Sequence, residues 1–262
     1  MPEGHTLRRL AKQQHERFAG RPVRVSSPQG RFEAGARLVD GRVLEEVTSA
    51  GKHLFASFGD AVVHVHLGLY GGFTSGASPA PEPVGALRMR WENDQWWSDL
   101  RGAPTCEVLN PDEVAAVSAR LGPDPLARRI GGDAAWARIT KSRAPIGVLL
   151  MDQSVVAGIG NVFRAEVLFR HRISPFRPGR DVSADEWASL WPDVMALMRA
   201  GVRSGRIVTT RPEDRPRGRV TRDDAFYVYQ RAGLPCRVCS TAVRSEPMAG
   251  RNLFWCPNCQ PS

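Results

Sequence analysis

CRVCSTAVRSEPMAGRNLFWCPNC, residues 236–259, is the stretch that decides most about the fold. Cys236 and Cys239 form one C-x-x-C pair, and Cys256 and Cys259 form a second. Two such pairs can place four thiolates around one tetrahedral zinc ion, and four cysteines leave no open position for water. The stretch therefore predicts one structural zinc ion on a short hairpin, with Arg251 near the hairpin tip.

Two disulfides are the alternative pairing of these cysteines. We expect zinc instead, because the sequence has no apolar signal stretch at its N-terminus and no apolar run of membrane length. Cys106 is left over, and we expect it to be a half-buried core thiol without chemistry of its own.

The opposite end of the chain begins Met1-Pro2-Glu3-Gly4. Initiator methionine is usually removed before a small residue, and Pro2 would then carry a free secondary amine. Such an amine can attack an electrophilic sugar carbon and form an iminium, while the Glu3 carboxyl group can transfer protons. Many ordinary proteins also begin with these residues, so the motif gains its meaning only from the rest of the chain.

The charge of the protein favours a polyanionic partner. Lysine and arginine number 36 against 27 acidic residues, which gives a net charge of +9 and a sequence pI of about 10.0. Residues 203–222 include seven arginines, with Glu213 and Asp214 as the acids. Prolines and glycines in that stretch predict a mobile loop, which is either a solvated linker or a segment that orders on nucleic acid.

Hydrophobic periodicity predicts strands in the first half of the chain and helices in the second. A period of two at 63–67 and 87–91 predicts a half-buried antiparallel sheet, in which His64 and Arg90 occupy the polar positions. A helix is expected near the N-terminus, where it would hold Pro2 and Glu3 in place. Residues 74–85, rich in Pro, Ser and Gly, predict a long loop.

The pattern changes to helices near residues 121–126, where we place a domain boundary. Ser183 and Glu186 form a capping box before a six-residue apolar stripe at helical spacing. Pro192 lies inside that stripe and predicts a kink or a break. Asn161 follows Gly158-Ile159-Gly160, and it either caps a helix or binds a phosphate at the helix start.

Several of these motifs, in this order, resemble the Fpg/Nei DNA glycosylases. Within that family the chain is most similar to the endonuclease VIII (Nei) branch of actinobacterial type, through residues 2–6 and 228–233. The motifs that carry the resemblance are Pro2-Glu3-Gly4, Gly51-Lys52, residues 151–161, and the hairpin ending Gly250-Arg251-Asn252-Leu253-Phe254-Trp255-Cys256.

The resemblance implies an α+β fold with an N-terminal antiparallel β-sandwich led by a helix. A helical domain with a helix–two-turn–helix motif follows, and a zinc-finger hairpin ends the chain. The implied domains are residues 1–125 (catalytic), 126–225 (DNA-binding) and 226–262 (zinc finger).

The resemblance also implies a role for each site residue. Pro2 is the expected nucleophile at C1′ of a flipped nucleotide, and Glu3 is the expected acid and base. Lys52 belongs to the same catalytic centre and is expected to hold phosphates together with Asn161 and Arg251.

Leu69 and Tyr70 match positions where Nei enzymes insert side chains into the gap left by the flipped base. The alternative for this pair is a hydrophobic strand end. Gly68 stands where some relatives have a polar residue, so this position offers no side chain to the orphaned base.

The activity implied is that of a base-excision repair glycosylase and AP lyase that removes oxidised bases, chiefly pyrimidines, and cuts the strand by β,δ-elimination. The implied partner is damaged double-stranded DNA, and no membrane is expected as a partner. The resemblance implies a monomer that acts in the cytoplasm, at the nucleoid. Two alternatives remain: an Fpg-like enzyme for oxidised purines, and a non-catalytic protein that binds damaged DNA.

Overall fold

The structure, a computed structural model, describes residues 2–128 and 130–261. Met1, whose removal the sequence leads us to expect, lies outside the described residues. Contacts divide the chain into two compact units, one ending at Arg120 and the other beginning at Leu121. Each unit is built around its own hydrophobic core.

Helices flank a set of antiparallel strands in the first unit. In chain order the elements are α1 (Gly4–Phe18), β1 (Arg21–Pro22), β2 (Arg24–Ser26), α2 (Glu33–Val39), β3 (Val43–Leu44), β4 (Glu46–Ala50), β5 (His53–Phe58), β6 (Ala61–His66), β7 (Gly72–Ala77), β8 (Leu87–Glu92), β9 (Trp96–Arg101), β10 (Thr105–Leu109) and α3 (Pro111–Ala119). One four-stranded sheet has the order β10-β6-β5-β4, the other has the order β2-β8-β9-β7, and β1 pairs with β3.

The two four-stranded sheets enclose a common apolar core, as the period of two predicts. Val63 and Val65 from one sheet and Trp91 from the other are fully buried in the same cluster as Phe18 of α1. The Trp91 ring meets Phe18 and Phe58 edge to face, with ring centroids 5.8 and 6.3 Å apart. The predicted antiparallel sandwich with a leading helix is confirmed.

The sheet faces differ from the expected pattern at two polar positions. Arg90 is only 5% exposed, because its guanidinium forms two hydrogen bonds with Asp99 (2.7 and 3.0 Å) and one with the Pro81 carbonyl. His64 is also buried. A charged or polar side chain can be buried when its hydrogen bonds are satisfied, and a pattern of apolar residues does not reveal such partners.

The loop predicted at 74–85 is shorter than expected, because β7 continues to Ala77. Thr74 pairs with Asp99 and Gly76 with Trp97 in the register of β7 and β9. A Cβ atom on Gly76 would lie 2.9 Å from the Trp97 ring, so a glycine that suggested a loop instead allows a close side-chain contact.

Helices and a small hairpin form the second unit. Its elements are α4 (Asp133–Ile139), α5 (Ile146–Leu149), α6 (Asn161–Arg170), α7 (Ala184–Ser204), β11 (Arg244–Met248) and β12 (Arg251–Trp255), with 3-10 turns at Gly179–Asp181 and Pro212–Asp214. Ser183 and Glu186 form the predicted capping box. Helix α7 runs through Pro192, so of the predicted kink or break, the break is wrong. Trp191 and Val194, buried on either side, hold the helix against the core.

The arginine-rich segment after α7 is irregular except for its 3-10 turn, as the prolines and glycines predict. Its first part is nevertheless fastened to the unit. The Thr209 N–H donates to the Ala225 carbonyl (2.9 Å), and the Arg211 N–H donates to the Tyr227 hydroxyl (2.9 Å). Across the described part of the chain, no helix has the length and apolar character needed to cross a membrane.

Candidate functional site

Glu3 occupies the N-cap of α1 in an extended backbone conformation, and it is fully buried. Its carbonyl accepts the Thr6 N–H at 2.8 Å and so begins the helix. Farther along α1, Phe18 packs in the sandwich core, and the Gln14 side chain donates to Ser98 Oγ at 2.7 Å. Pro2, half-buried, therefore directly precedes a helix that is anchored along its length.

Lys52 lies in the turn of the β4–β5 hairpin. Ala50 pairs with His53, which leaves Gly51 and Lys52 as a two-residue turn. Gly51 has φ +56°, a conformation that glycine adopts without strain at the first central position of a tight hairpin turn. The hairpin thus fixes the backbone of Lys52, whose side chain is half-buried.

Leu69 and Tyr70 lie in a tight turn between β6 and β7. The Gly71 N–H donates to the Leu67 carbonyl at 2.8 Å, and a Cβ on Gly71 would lie 2.3 Å from that oxygen. The turn leaves Leu69 37% exposed and Tyr70 90% exposed. Both residues lie outside the strands, since β6 ends at His66 and β7 begins at Gly72. The alternative of a hydrophobic strand end is therefore wrong.

Asn161 is the first residue of α6, and Gly160 is the N-cap, so the capping alternative is wrong. The Asn161 side chain is 5% exposed. Its Nδ2 donates to the Asn252 carbonyl at 2.9 Å, and its Oδ1 accepts from Arg164. Asn161 thereby links the start of α6 to the strand that begins with Arg251.

Arg251 lies at the end of the hairpin turn, as the sequence predicts. Met248 pairs with Arg251, and the two residues between them, Ala249 (φ +52°) and Gly250 (φ +69°), both have positive φ. This is the backbone of a type I′ turn, which matches the twist of a two-stranded hairpin. The Arg251 side chain is exposed, and its Nη1 donates to the Gly250 carbonyl at 2.7 Å.

Arg164 and Gln153 organise this region, and sequence reasoning missed the role of both side chains. Arg164 is fully buried and donates to the Gly147 and Met248 carbonyls (3.3 and 3.2 Å) and to Asn161. Gln153 donates to the Ile159 carbonyl at 3.0 Å. An arginine inside a helix looks like a surface residue, so no sequence signal identifies Arg164, whereas Gln153 lies within the stretch 151–161 that carries the resemblance.

Glu166 is a further side chain that the sequence did not single out. It is fully buried and accepts hydrogen bonds from the backbone N–H groups of Tyr227, Val228 and Tyr229, each at 2.8 Å, and from Thr209. Burial raises the pKa of Glu166, and these donated hydrogen bonds oppose the increase. The carboxyl group joins α6 to the segment that leads into the zinc finger.

The four cysteines of the C-x-x-C pairs come together with their Sγ atoms all within 4.8 Å of one another. Cys236 and Cys259 are 3.8 Å apart, and Cys239 and Cys256 are 3.4 Å apart. A disulfide needs about 2.05 Å, so the disulfide alternative is wrong. Sulfurs about 2.3 Å from a tetrahedral zinc ion would lie about 3.8 Å from each other, and the cluster fits such an ion. Cys106 is buried in the sandwich core, where burial raises its thiol pKa to about 12.

Known protein families match each of these parts. The formamidopyrimidine-DNA glycosylase N-terminal domain matches residues 1–105, the H2TH domain of the same glycosylase matches 121–212, and the zinc finger found in FPG and IleRS matches 233–261. Endonuclease 8 1 of Mycobacterium tuberculosis is 53% identical over 99% of this chain and 100% of its own length. The chain belongs to the Fpg/Nei family of DNA glycosylases.

Other relatives of this glycosylase agree in sequence and in fold. The formamidopyrimidine-DNA glycosylase of Thermus thermophilus is 33% identical over 85% of this chain and 84% of its own length. The crystal structure of MutM (Fpg) from that organism has a TM-score of 0.78 at 28% identity, covering 99% and 98% of the two chains. A complex of the Lactococcus lactis Fpg with abasic-site DNA has a TM-score of 0.83 at 19% identity, covering 99% and 100%, and shares the fold.

Family membership confirms the predicted enzyme class, a DNA glycosylase with AP lyase activity, and favours it over the non-catalytic alternative. The zinc-finger match and the cysteine cluster confirm one structural zinc ion. Of the predicted site residues, Pro2, Glu3, Lys52, Leu69 and Tyr70 lie in the first unit. Asn161, Arg251 and the cysteines lie in the second.

Proposed function

We propose that this glycosylase removes oxidised bases, chiefly pyrimidines, from damaged double-stranded DNA and then cuts the strand. The observation that carries the proposal is the buried carboxyl group of Glu3, which directly follows Pro2 at the start of an anchored helix. The preference for pyrimidines is supported by the greater identity to endonuclease 8 1 than to the formamidopyrimidine-DNA glycosylases. We further propose that the enzyme acts as a monomer in the cytoplasm, at the nucleoid.

The proposed chemistry needs an amine and a proton carrier. The free secondary amine of Pro2 attacks C1′ of the flipped nucleotide, and the bond from C1′ to the damaged base breaks. Glu3 protonates the sugar ring oxygen as the ring opens, which leaves an iminium on Pro2. The iminium acidifies the C2′ proton, and its removal expels the 3′ phosphate. A second elimination expels the 5′ phosphate, and hydrolysis then releases Pro2.

Lys52, Asn161 and Arg251 are the proposed phosphate contacts. Lys52 and Arg251 each lie on a tight hairpin turn, which presents a cation on a fixed backbone. Asn161 uses one N–H of its amide for the Asn252 carbonyl, and the second N–H is available to a phosphate oxygen. The net charge of +9 supports binding to a polyanion.

Leu69 and Tyr70 are the proposed wedge that fills the gap left by the flipped nucleotide. Both project from a tight turn, and an apolar side chain with an aromatic ring can replace the stacking that the base loses. Gly68 cannot itself offer a polar side chain to the orphaned base. We propose that the three functional segments are residues 1–125, 126–225 and 226–262, with damaged DNA as the partner of all three.

The proposal is tested by borohydride trapping on a duplex that contains an abasic site, followed by peptide mass mapping. An adduct on a methionine-free Pro2 is expected. Pro2→Gly replaces the secondary amine with a primary one, and it should strongly reduce both the adduct and strand cleavage while keeping much of the DNA affinity. Turnover of Pro2→Gly at the wild-type rate would refute the assignment of Pro2. Glu3→Gln is the matched control, because it keeps the amine and removes the proton carrier.

A panel of duplexes with single lesions tests the substrate class. Oxidised pyrimidines such as thymine glycol are expected to be excised faster than 8-oxoguanine. The reverse order would replace the proposal with the Fpg-like alternative for purines.

A further inference from the structure

A chain of hydrogen-bonded imidazoles lies on the sheet β10-β6-β5-β4, on the face opposite the sandwich core. His53 Nδ1 is 2.9 Å from His64 Nε2, and His64 Nδ1 is 2.9 Å from Glu107 Oε1. The strand register produces this chain. His64 pairs with Glu107 on one side and with Phe55 on the other, and His53, two residues before Phe55 on the same face, is the diagonal neighbour of His64. Phe55 stacks on His64 with ring centroids 5.0 Å apart, which holds the His64 ring in place.

With neutral rings, one arrangement of the ring hydrogens satisfies both of these hydrogen bonds. An ionised carboxylate only accepts, so His64 Nδ1 carries a hydrogen toward Glu107. In a neutral ring, His64 Nε2 is then an acceptor, and it takes the hydrogen on His53 Nδ1. The chain therefore runs as successive donors from His53 to His64 to Glu107, and the orientation of His53 depends on both of the others.

The groups around His53 keep it uncharged. Burial, together with the smaller effects of the nearby His64, His66, Arg120 and Lys52, lowers the pKa of His53 to about 4. Burial also lowers the pKa of His66, with Lys52 and His64 adding to the effect.

The backbone of Lys52 is bounded by two very different residues. On one side is Gly51, the most permissive residue type, and on the other is His53, the first residue of β5. The backbone conformation of the turn is therefore restrained mainly by His53 and much less by Gly51. A ring fixed by hydrogen bonds at the first position of the strand supplies such a restraint.

We propose that His53 and His64, oriented by Glu107, are positioning residues that hold Lys52 for its phosphate contact. This inference rests on the proposed function, in which Lys52 binds a phosphate. The imidazoles do not touch DNA in this scheme. They act by restricting the hairpin turn, so that less conformational freedom is lost when the ammonium binds.

A double-mutant cycle on the full-length protein tests the inference. Binding to a duplex with a tetrahydrofuran abasic analogue is followed by fluorescence anisotropy over a range of salt concentrations. Lys52→Gln should weaken binding about tenfold, the equivalent of one lost charge-assisted contact, and should reduce the salt slope by about one. His53→Phe keeps an aromatic ring but loses the hydrogen-bond donor. It should weaken DNA binding about three- to tenfold, because Lys52 is then held less firmly.

The combined variant distinguishes positioning from a general structural role. If His53 acts through Lys52, His53→Phe with Lys52→Gln binds no more weakly than Lys52→Gln alone. His53→Asn keeps a donor near the position of Nδ1 and should restore most of the affinity. His15→Gln is the control, because His15 also bonds to this sheet, at the N–H of Val47, but is exposed and lies outside the imidazole chain.

Two results would overturn the inference. Losses that multiply in the combined variant, or wild-type binding by His53→Phe, would mean that His53 does not position Lys52. An unchanged affinity and salt slope in Lys52→Gln would instead show that Lys52 has no phosphate contact, and the inference would fall together with that assignment. Thermal melts of each variant identify any loss of binding that is caused by unfolding.

Discussion

Replacing Glu166 with glutamine should lower the free energy of unfolding of the second unit by about 2 kcal/mol. In the native protein Oε1 accepts the N–H groups of Val228 and Tyr229, while Oε2 accepts from Tyr227 and Thr209. Glutamine supplies a single oxygen, which can keep the first pair. Its amide nitrogen then faces the Tyr227 N–H, so that two donors meet in a fully buried site.

The size of the effect follows from counting these contacts. A buried N–H without an acceptor costs about 1–3 kcal/mol, and the two remaining bonds weaken because the acceptor is no longer charged. Thr209 escapes a penalty, because its hydroxyl already lies 3.1 Å from the Ala225 carbonyl and can donate there. Removing a buried charge gives back part of the loss, which brings the expected total to about 2 kcal/mol.

Urea unfolding followed by circular dichroism measures this difference. Glu186→Gln is the matched control: Glu186 also accepts a backbone N–H, from Ser183 at 2.8 Å, but its side chain is 31% exposed. The control should lose about 0.5 kcal/mol. A loss below about 0.5 kcal/mol in Glu166→Gln would refute the reasoning that this carboxyl group holds the segment before the zinc finger.

Four further predictions concern two surface residues, the metal and an ion pair. Arg251→Ala should weaken DNA binding and reduce the salt slope by about one charge, and an unchanged slope would remove Arg251 from the phosphate contacts. Tyr70→Ala should leave the melting temperature unchanged but slow base excision, and equal rates would exclude Tyr70 from the wedge. Removal of zinc by a chelator should abolish DNA binding before it unfolds the first unit. A binding assay and far-UV circular dichroism would measure the two effects. Although burial opposes ionisation, hydrogen bonds from His171 and Arg170 hold the pKa of Asp193 well below its usual range. This stabilisation is complete above the ordinary pKa of 3.8 and is lost as the pH falls toward the depressed value. Asp193→Asn should therefore cost about 2 kcal/mol at neutral pH and much less near pH 2, as acid titration of urea stability would test.

The parts of the fold that could be predicted from sequence depend on local patterns. The spacing of the cysteines predicts the zinc cluster, and the capping box at Ser183 predicts the start of α7. Both motifs are complete within a short stretch of chain, so their chemistry is readable without tertiary contacts. The strand at 74–77 was missed because its small residues form a strand only when β9 lies beside them.

The parts that could not be predicted depend on partners distant in sequence. Arg164 and Glu166 are charged residues in the middle of a helix, which usually face solvent. Here Arg164 reaches Met248 and Glu166 reaches residues 227–229, more than sixty positions away. His64 is similar, since its partner Glu107 becomes a neighbour only when β6 and β10 pair.

The two hairpins that carry the proposed phosphate contacts share one physical design. Lys52 and Arg251 each end or occupy a turn that needs positive φ, and both have long side chains whose ordering on a phosphate costs entropy. A floppy turn would add the entropy of the backbone to that cost. Each turn is instead tied to a network of polar side chains in which buried residues take part, through His64 in the first unit and through Arg164 in the second.

DNA binding should therefore be sensitive to substitution of the buried residues that tie these turns in place, as it is expected to be for the cations themselves. Arg164 bonds the carbonyl of Met248, which pairs with Arg251 across the hairpin turn. Arg164→Met keeps the apolar part of the side chain but loses these bonds, and it should weaken DNA binding without changing the charge on the exposed surface. If its salt slope falls as is expected for Arg251→Ala, Arg164 acts through Arg251. If binding weakens with the slope unchanged, the loss comes from the shape of the hairpin or from the uncharged Asn161, which also bonds to Arg164, and not from the position of the Arg251 guanidinium.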